Sequence, residues 1–205
     1  MIIKKKDFIE LDFTGRIKES GQIFDTTNKE DAKKMGAENV HSLKICVGEG
    51  MLVKGFDEAL EGKETGNHCS IEIEPKKAFG MRDPKLIKIV PISVFHEKDV
   101  NPYPGLMLNI DGMLVRISSV SGGRVTTDFN LPLAGKTIVY EFKIKRLIED
   151  KEEKLKTLAE FFVGKADIKI EDNKAIISLE KKIENKMFKE KAKELLGLDI
   201  EFRVK

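Results

Sequence analysis

The sequence predicts an α+β protein: an antiparallel sheet clasping one short helix, interrupted by an inserted small all-β domain and followed by a C-terminal small α/β domain. Three observations carry this. Apolar residues alternate with polar ones along "FIELDFTGRI" and again at Ile138, Tyr140, Phe142 and Ile144, the period of strands with one buried face. The stretch "GEGMLVKGFDEALEG" sets a helix of about two turns between Gly48, Gly50 and Gly62; alone it would be marginal in water, so its apolar face needs a sheet to lie on. The composition then changes character at Pro84 and once more after Glu149.

The elements follow in order. Residues 8–17 form a half-buried strand, with Phe8, Leu11 and Phe13 as its apolar points, and "ESGQIFD" turns the chain at Ser20 and Gly21. "SLKICVG" is a short strand leading into the helix, which carries Leu52, Val53 and Phe56; "HCSIEIEP" alternates with Cys69, Ile71 and Ile73 on one side. From Pro84 the hairpin signals Asp111-Gly112 and Gly122-Gly123 punctuate a small β module. "NLPLAGKTIVYEFKIKRL" then returns a long strand to the first sheet. After Glu149, Leu155, Leu158, Ala159, Phe162 and Val163 fall at helical spacing before Gly164, a hairpin turns about Asp172 and Asn173, and Ile183, Met187, Ala192, Leu195 and Leu196 repeat the helical pattern before the strand "DIEFRVK". The domains are therefore 1–84 with 128–149, 85–127, and 150–205. The charged start "EDKEEK" reads as a solvated linker helix, which argues against tight docking of the last domain. A module of about 56 residues buries too little surface to be stable alone, so a homodimer through it is expected.

Composition excludes several classes. Lys+Arg 37 against Asp+Glu 35 in 205 residues leaves a net charge of +2, no footprint for nucleic acid. "MIIKKKDFIELDF" lacks a signal-peptide core, and no apolar span of about 20 residues exists; a cytoplasmic protein with no membrane partner is expected. Cys46 and Cys69 sit in apolar contexts without CxxC spacing and read as buried free thiols. His41, His68 and His96 lack ligand spacing, and "HEKD" is not HExxH, so no metal is expected.

The candidate site gathers apolar and aromatic residues, Phe13, Phe24, Leu52, Val53, Phe56, Phe79 and Tyr140, with Asp25 the one carboxylate beside them. Taken alone, such a set reads as plain core, and Asp25 as a turn cap with Thr26 and Thr27. Yet "GQIFD", "VGEGMLVKGFDEALEGKETG", "AFG" at 78–80 and "LPLAGKTIVYEFKI" occur in an order that resembles the FKBP-type peptidyl-prolyl isomerases, specifically the SlyD-like and archaeal long forms with an insert-in-flap domain. The resemblance covers roughly residues 6–148. It implies an FKBP-like sheet around the helix and a proline pocket whose catalytic surface is Phe13, Phe24, Asp25, Leu52, Val53, Phe56, Phe79 and Tyr140, with Leu43, Leu131 and Leu133 completing the lining. Phe56 stands where many members carry tryptophan, Phe13 and Phe79 where tyrosine is common, and Leu131 where histidine is usual.

The resemblance further implies proline-containing, unfolded or extended polypeptides as partners, macrolide inhibitors as candidate ligands, and no cofactor. The insert would capture unfolded chain, with Ile89, Val90, Val94, Met107 and Met113 as candidate contacts. Chemically, such a site needs no nucleophile. Rotation about X–Pro is slow because amide resonance must be lost, a barrier of about 18–20 kcal/mol for a peptide bond, and a water-poor pocket favours the less polar twisted form. Two alternatives stand beside the isomerase: a holdase chaperone with a weak or silent site, and a dimeric interaction scaffold.

Overall fold

The structure, a computed structural model, describes residues 1–37, 39–181 and 184–204. In chain order the elements are β1 (Phe8–Ile17), β2 (Ile23–Thr26), α1 (Lys29–Lys34), β3 (Leu43–Cys46), α2 (Lys54–Leu60), β4 (His68–Ile73), β5 (Ile87–Pro91), α3 (Ile92–His96), β6 (Met107–Ile110), β7 (Met113–Ser121), β8 (Arg124–Asp128), β9 (Ile138–Leu147), α4 (Lys151–Phe162), β10 (Asp167–Glu171), β11 (Lys174–Leu179), α5 (Lys186–Leu196) and β12 (Asp199–Val204). They divide into two compact units, Met1–Ile73 with Ile138–Lys205, and Glu74–Thr137.

In the first unit, β1 is the organising strand. One edge pairs along its length with β9, from Ile9↔Leu147 to Ile17↔Ile138; the other edge is shared by β3 near its start and β2 near its end, and β4 lies beyond β9. All these pairings are antiparallel, as the alternating patterns predict. Helix α2 begins later than the sequence suggests. Leu52 and Val53 precede it, with Val53 as an extended N-cap (ψ 141°). The reason lies in Asp57, whose carboxylate accepts the Gly48 and Gly50 N–H groups at 2.8 and 3.1 Å. Both glycines have positive φ, +83° and +70°, so the chain before Leu52 is a fixed turn that cannot continue the helix backwards. Helix α1 was not anticipated, because its residues carry no apolar stripe. Asn28 makes it, accepting the Glu30 and Asp31 N–H groups as the N-cap of the helix.

The C-terminal elements belong to the first unit, which corrects the expectation of loose docking. The three-stranded sheet β10-β11-β12 and helices α4 and α5 build a buried core from Leu155, Leu158, Ala175, Ile177, Phe188 and Ala192 together with Phe8, Cys46 and Ile148 of the first sheet. The charge run at the start of α4 is not merely solvated. Glu153 accepts from Arg146 at 3.0 Å and pairs with Lys44 at 2.9 Å. On α5 the phase also differs from expectation: Phe188 is buried and Met187 is 60% exposed, since 188 and 192 share the inward face. Ile183 lies outside the described residues. Cys46 is buried as expected, whereas Cys69, on β4 at the end of the strand order, is only half-buried.

The second unit is a four-stranded antiparallel sheet ordered β5-β8-β7-β6 over a small core of Phe95, Ile117 and Val125. Asp111 and Gly112 both adopt positive φ, 50° and 81°, the tight two-residue connection that joins β6 to β7. The five-residue helix α3 adds to the strands the sequence predicts and supplies Phe95 to the core.

Candidate active site

Strand register builds the site. On one face of the first sheet, Phe13 lies opposite Phe142 and Gly15 opposite Tyr140, while Gly15 also faces Asp25 on β2. Phe56, fully buried at 0% exposure, rises from α2 onto this face. It stacks on Tyr140 with ring centroids 4.2 Å apart and 18° between planes, and meets Phe142 edge-on at 5.1 Å. Phe13 makes edge contacts with Phe56 at 5.9 Å and with Tyr140 at 5.8 Å, and Phe24 makes one with Tyr140 at 5.7 Å. These are the geometries that the aromatic quadrupole favours, each worth roughly 0.5–1.5 kcal/mol beyond area burial.

Gly15 makes the arrangement sterically feasible. A Cβ there would lie 2.6 Å from Phe24 Cζ and 2.9 Å from Tyr140 Cε1, so the two rings occupy the space a side chain would take. Behind them the Thr14 and Thr26 hydroxyls share a hydrogen bond at 2.8 Å, and the Phe13 N–H donates to Thr27 Oγ1 at 2.8 Å, pinning β2 against β1.

Electrostatically the cluster leans towards neutrality. Asp25 remains open to solvent, but the neighbouring rings thin its water shell, and this desolvation raises its carboxyl pKa against the opposing effect of the Thr26 amide. Tyr140 has its phenol pKa raised first by burial and then by the nearby charge of Asp25. In both groups burial disfavours the charged form. What the arrangement offers is an aromatic, weakly hydrated surface.

Of the sequence-predicted residues, Phe13, Phe24, Asp25, Phe56 and Tyr140 come together. Val53 opens α2, its carbonyl accepting the Phe56 and Asp57 N–H groups at 2.9 and 3.0 Å, and Leu52 borders a groove of ≈ 330 Å³ with Gly48, Asp57 and Glu58. Leu43 does not join the rings; it faces a recess of ≈ 490 Å³ with Met51, Thr157 and Phe161, because β3 packs beneath α4. Phe79, Leu131 and Leu133 belong to the second unit, where the Gly135 N–H donates to Gly80 O at 2.8 Å and ties the "AFG" and "LPLAG" segments together. Leu131 is 63% exposed there. In the insert, Ile89, Val94, Met107 and Met113 are exposed, whereas Val90 packs on the module's own core. Sequence reasoning missed Gly15 and Asp57. A glycine inside an alternating strand was the available sign of close approach; an acid in the first turn of a helix was the sign of Asp57's role. A recess of ≈ 870 Å³ on the first sheet is lined by Phe13, Phe142 and Cys69 together with Asp12, Glu141 and Lys145, among others.

Among the described residues no helix is long and apolar enough to cross a membrane. The family described as FKBP-type peptidyl-prolyl cis-trans isomerase matches residues 1–96, and the FKBP26 IF domain matches residues 88–133. The chain is 32% identical over 148 residues to the short-type peptidyl-prolyl cis-trans isomerase of Methanocaldococcus jannaschii, covering 70% of this chain and 93% of that protein. It is 35% identical over 102 residues to a probable FKBP-type 16 kDa peptidyl-prolyl cis-trans isomerase of Pseudomonas fluorescens, over 48% of this chain and 67% of the relative. To the FKBP-type isomerase SlyD of Treponema pallidum it is 28% identical over 162 residues, 77% of this chain and 85% of that one. With the antiparallel sheet, the clasped helix and the inserted β module in place, the chain belongs to the FKBP-type peptidyl-prolyl cis-trans isomerases.

Proposed function

We propose that the protein accelerates cis/trans rotation of X–Pro bonds on the aromatic cluster of Phe13, Phe24, Phe56 and Tyr140, and that the insert gathers unfolded or extended proline-containing chains for it. The observation that carries this reading is the ring cluster itself, packed over Gly15, with both nearby titratable groups biased towards their uncharged forms. A planar prolyl amide is polar because of resonance. Twisting it removes that polarity, so surroundings that withhold water raise the ground state relative to the twisted form. Each ~1.4 kcal/mol of such discrimination is about tenfold in rate. No cofactor enters the mechanism, and Leu52 and Val53, at the start of α2, extend the substrate surface beside the rings. Macrolides that mimic a prolyl segment belong to the same ligand class.

The insert supports the second half of the reading. Ile89, Val94, Met107 and Met113 stand exposed on a module whose core is otherwise closed. Adaptable methionines on such a surface suit varied apolar segments. Two free cysteines fit a reducing, cytoplasmic setting. A homodimer through the C-terminal elements belongs to the same proposal, supported by the exposed Phe161, Met187 and Val204 that they carry. The lack of a hydroxyl at Phe13 and of an imidazole at Leu131 favours the holdase as the second reading.

Isomerisation of a short X–Pro peptide is the test. Phe56→Leu is expected to lower kcat/KM by about tenfold, roughly 1.4 kcal/mol, with Tyr140→Leu alike and Asp25→Ala changing it less than about threefold. Abolition by Asp25→Ala with Phe56→Leu unaffected would overturn the desolvation mechanism. A wild-type protein that suppresses client aggregation without turning over the peptide is the holdase.

A further inference from the structure

Residues 48–53 join β3 to α2 and are held from two sides. From inside, Asp57 fixes the Gly48 and Gly50 amides. From outside, the C-terminal elements reach the two residues between and after those glycines. Lys191 Nζ on α5 lies 2.7 Å from Glu49 Oε2 and 3.0 Å from Glu194 Oε2, and Glu194 in turn pairs with Lys6 at 2.7 Å. Met51 packs against the core formed by α4, α5 and their sheet, and its sulfur accepts the Cys46 N–H at 3.2 Å. The Glu49 side chain is only 6% exposed. A carboxylate so covered is costly unless paired, which sets this ion pair apart from the many exposed ones on the surface.

The next two residues are Leu52 and Val53, and Val53 opens the helix on which Phe56 stacks against Tyr140. We infer that Lys191 and Met51 position the isomerase site: the C-terminal elements act as a brace that holds the 48–53 segment, and so Leu52 and Val53, in the place where substrate meets them. This rests on reading the ring cluster as the isomerase site. The brace touches neither substrate nor the rings. Loosening it weakens binding of planar and twisted substrate alike, an effect that appears in KM.

The experiment uses the full-length protein and the variants Lys191→Met, Lys191→Arg and Glu49→Gln. It reads kcat and KM separately on a short X–Pro peptide, with amide hydrogen exchange at residues 48–53. Lys191→Met and Glu49→Gln are expected to raise KM about three- to tenfold with kcat within about twofold, and to speed exchange in that segment. Lys191→Arg, which keeps the charge, returns both towards wild type. Unchanged KM, unchanged exchange, or an arginine variant as impaired as the methionine one overturns the brace. A wild-type protein without turnover, or a Phe56→Leu variant as active as wild type, overturns the reading of the site instead, and the exchange data keep the two failures apart.

Discussion

A methyl group at position 15 would meet Phe24 at 2.6 Å and Tyr140 at 2.9 Å, so the smallest residue of β1 sets where two of the largest can lie. Gly15 has no positive φ, and at an ordinary backbone conformation Gly→Ala should stabilise a protein by about 0.4–1 kcal/mol through the unfolded chain. Steric conflict reverses that sign here. Gly15→Ala is expected to destabilise by roughly 1–3 kcal/mol, the usual cost of overpacking, and to lower peptide turnover several-fold as the rings move apart. Urea denaturation beside the peptide assay checks it, and a stability gain would show that the rings are free to shift. Phe13, Phe24, Phe56 and Tyr140 could be picked from the sequence because their motifs follow one another in family order. Gly15 could not, since its role depends on the register that sets it opposite both Tyr140 and Asp25.

At the scale of the element, strands were more legible than helix ends or docking. The alternation in β1 and β9 reports burial directly: Ile138, Tyr140, Phe142 and Ile144 are all buried. The start of α2 depends on a carboxylate four residues into the helix region capturing glycine amides behind it, which no periodicity shows. Docking of α4 joins an apolar core to charges from outside the helix, one near in sequence and one distant. Glu153 meets Arg146 and Lys44, and these partners, Arg146 first, hold its pKa down to about 2. Because the folded value lies below the unfolded one, the native state binds fewer protons, and the stability gained is present above the ordinary glutamate range. It is lost as the pH falls from about 4.5 to about 2. Glu194, lowered by Lys6 and Lys191, adds in the same direction. The first unit is therefore expected to lose stability through this acid window. Glu153→Gln should flatten that part of a urea-midpoint profile against pH, and a variant profile parallel to wild type would remove Glu153 from the account.

For the whole molecule, the two additions to the isomerase domain differ in how they are attached, and deletions should separate them. The insert leaves and re-enters the chain at one place. Arg82 pairs with Asp128, the Asp83 N–H donates to Asn130 Oδ1 at 2.8 Å, Asn130 Nδ2 donates back to Asp83 O at 3.0 Å, and Ile87 sits opposite Asp128 in register. Its own core of Phe95, Ile117 and Val125 is complete within the module. Removing residues 85–127 and joining the adjacent ends should thus leave a folded protein, with peptide turnover within about tenfold, or roughly 1.4 kcal/mol, and much slower refolding of a proline-limited protein client. The C-terminal elements have no such independence. Phe8, Cys46 and Ile148 of the first sheet are buried in one core with Leu155, Phe188 and Leu198. Truncation after residue 149 would return those side chains to water, at roughly 1.5–3 kcal/mol for each large apolar one, and would release Glu49 and Met51 from their partners. The expected outcome is a truncated chain that unfolds at lower urea and aggregates, whereas the insert-deleted chain stays soluble. Equal urea midpoints for the truncated and full-length proteins would show that the shared core contributes nothing the first sheet needs.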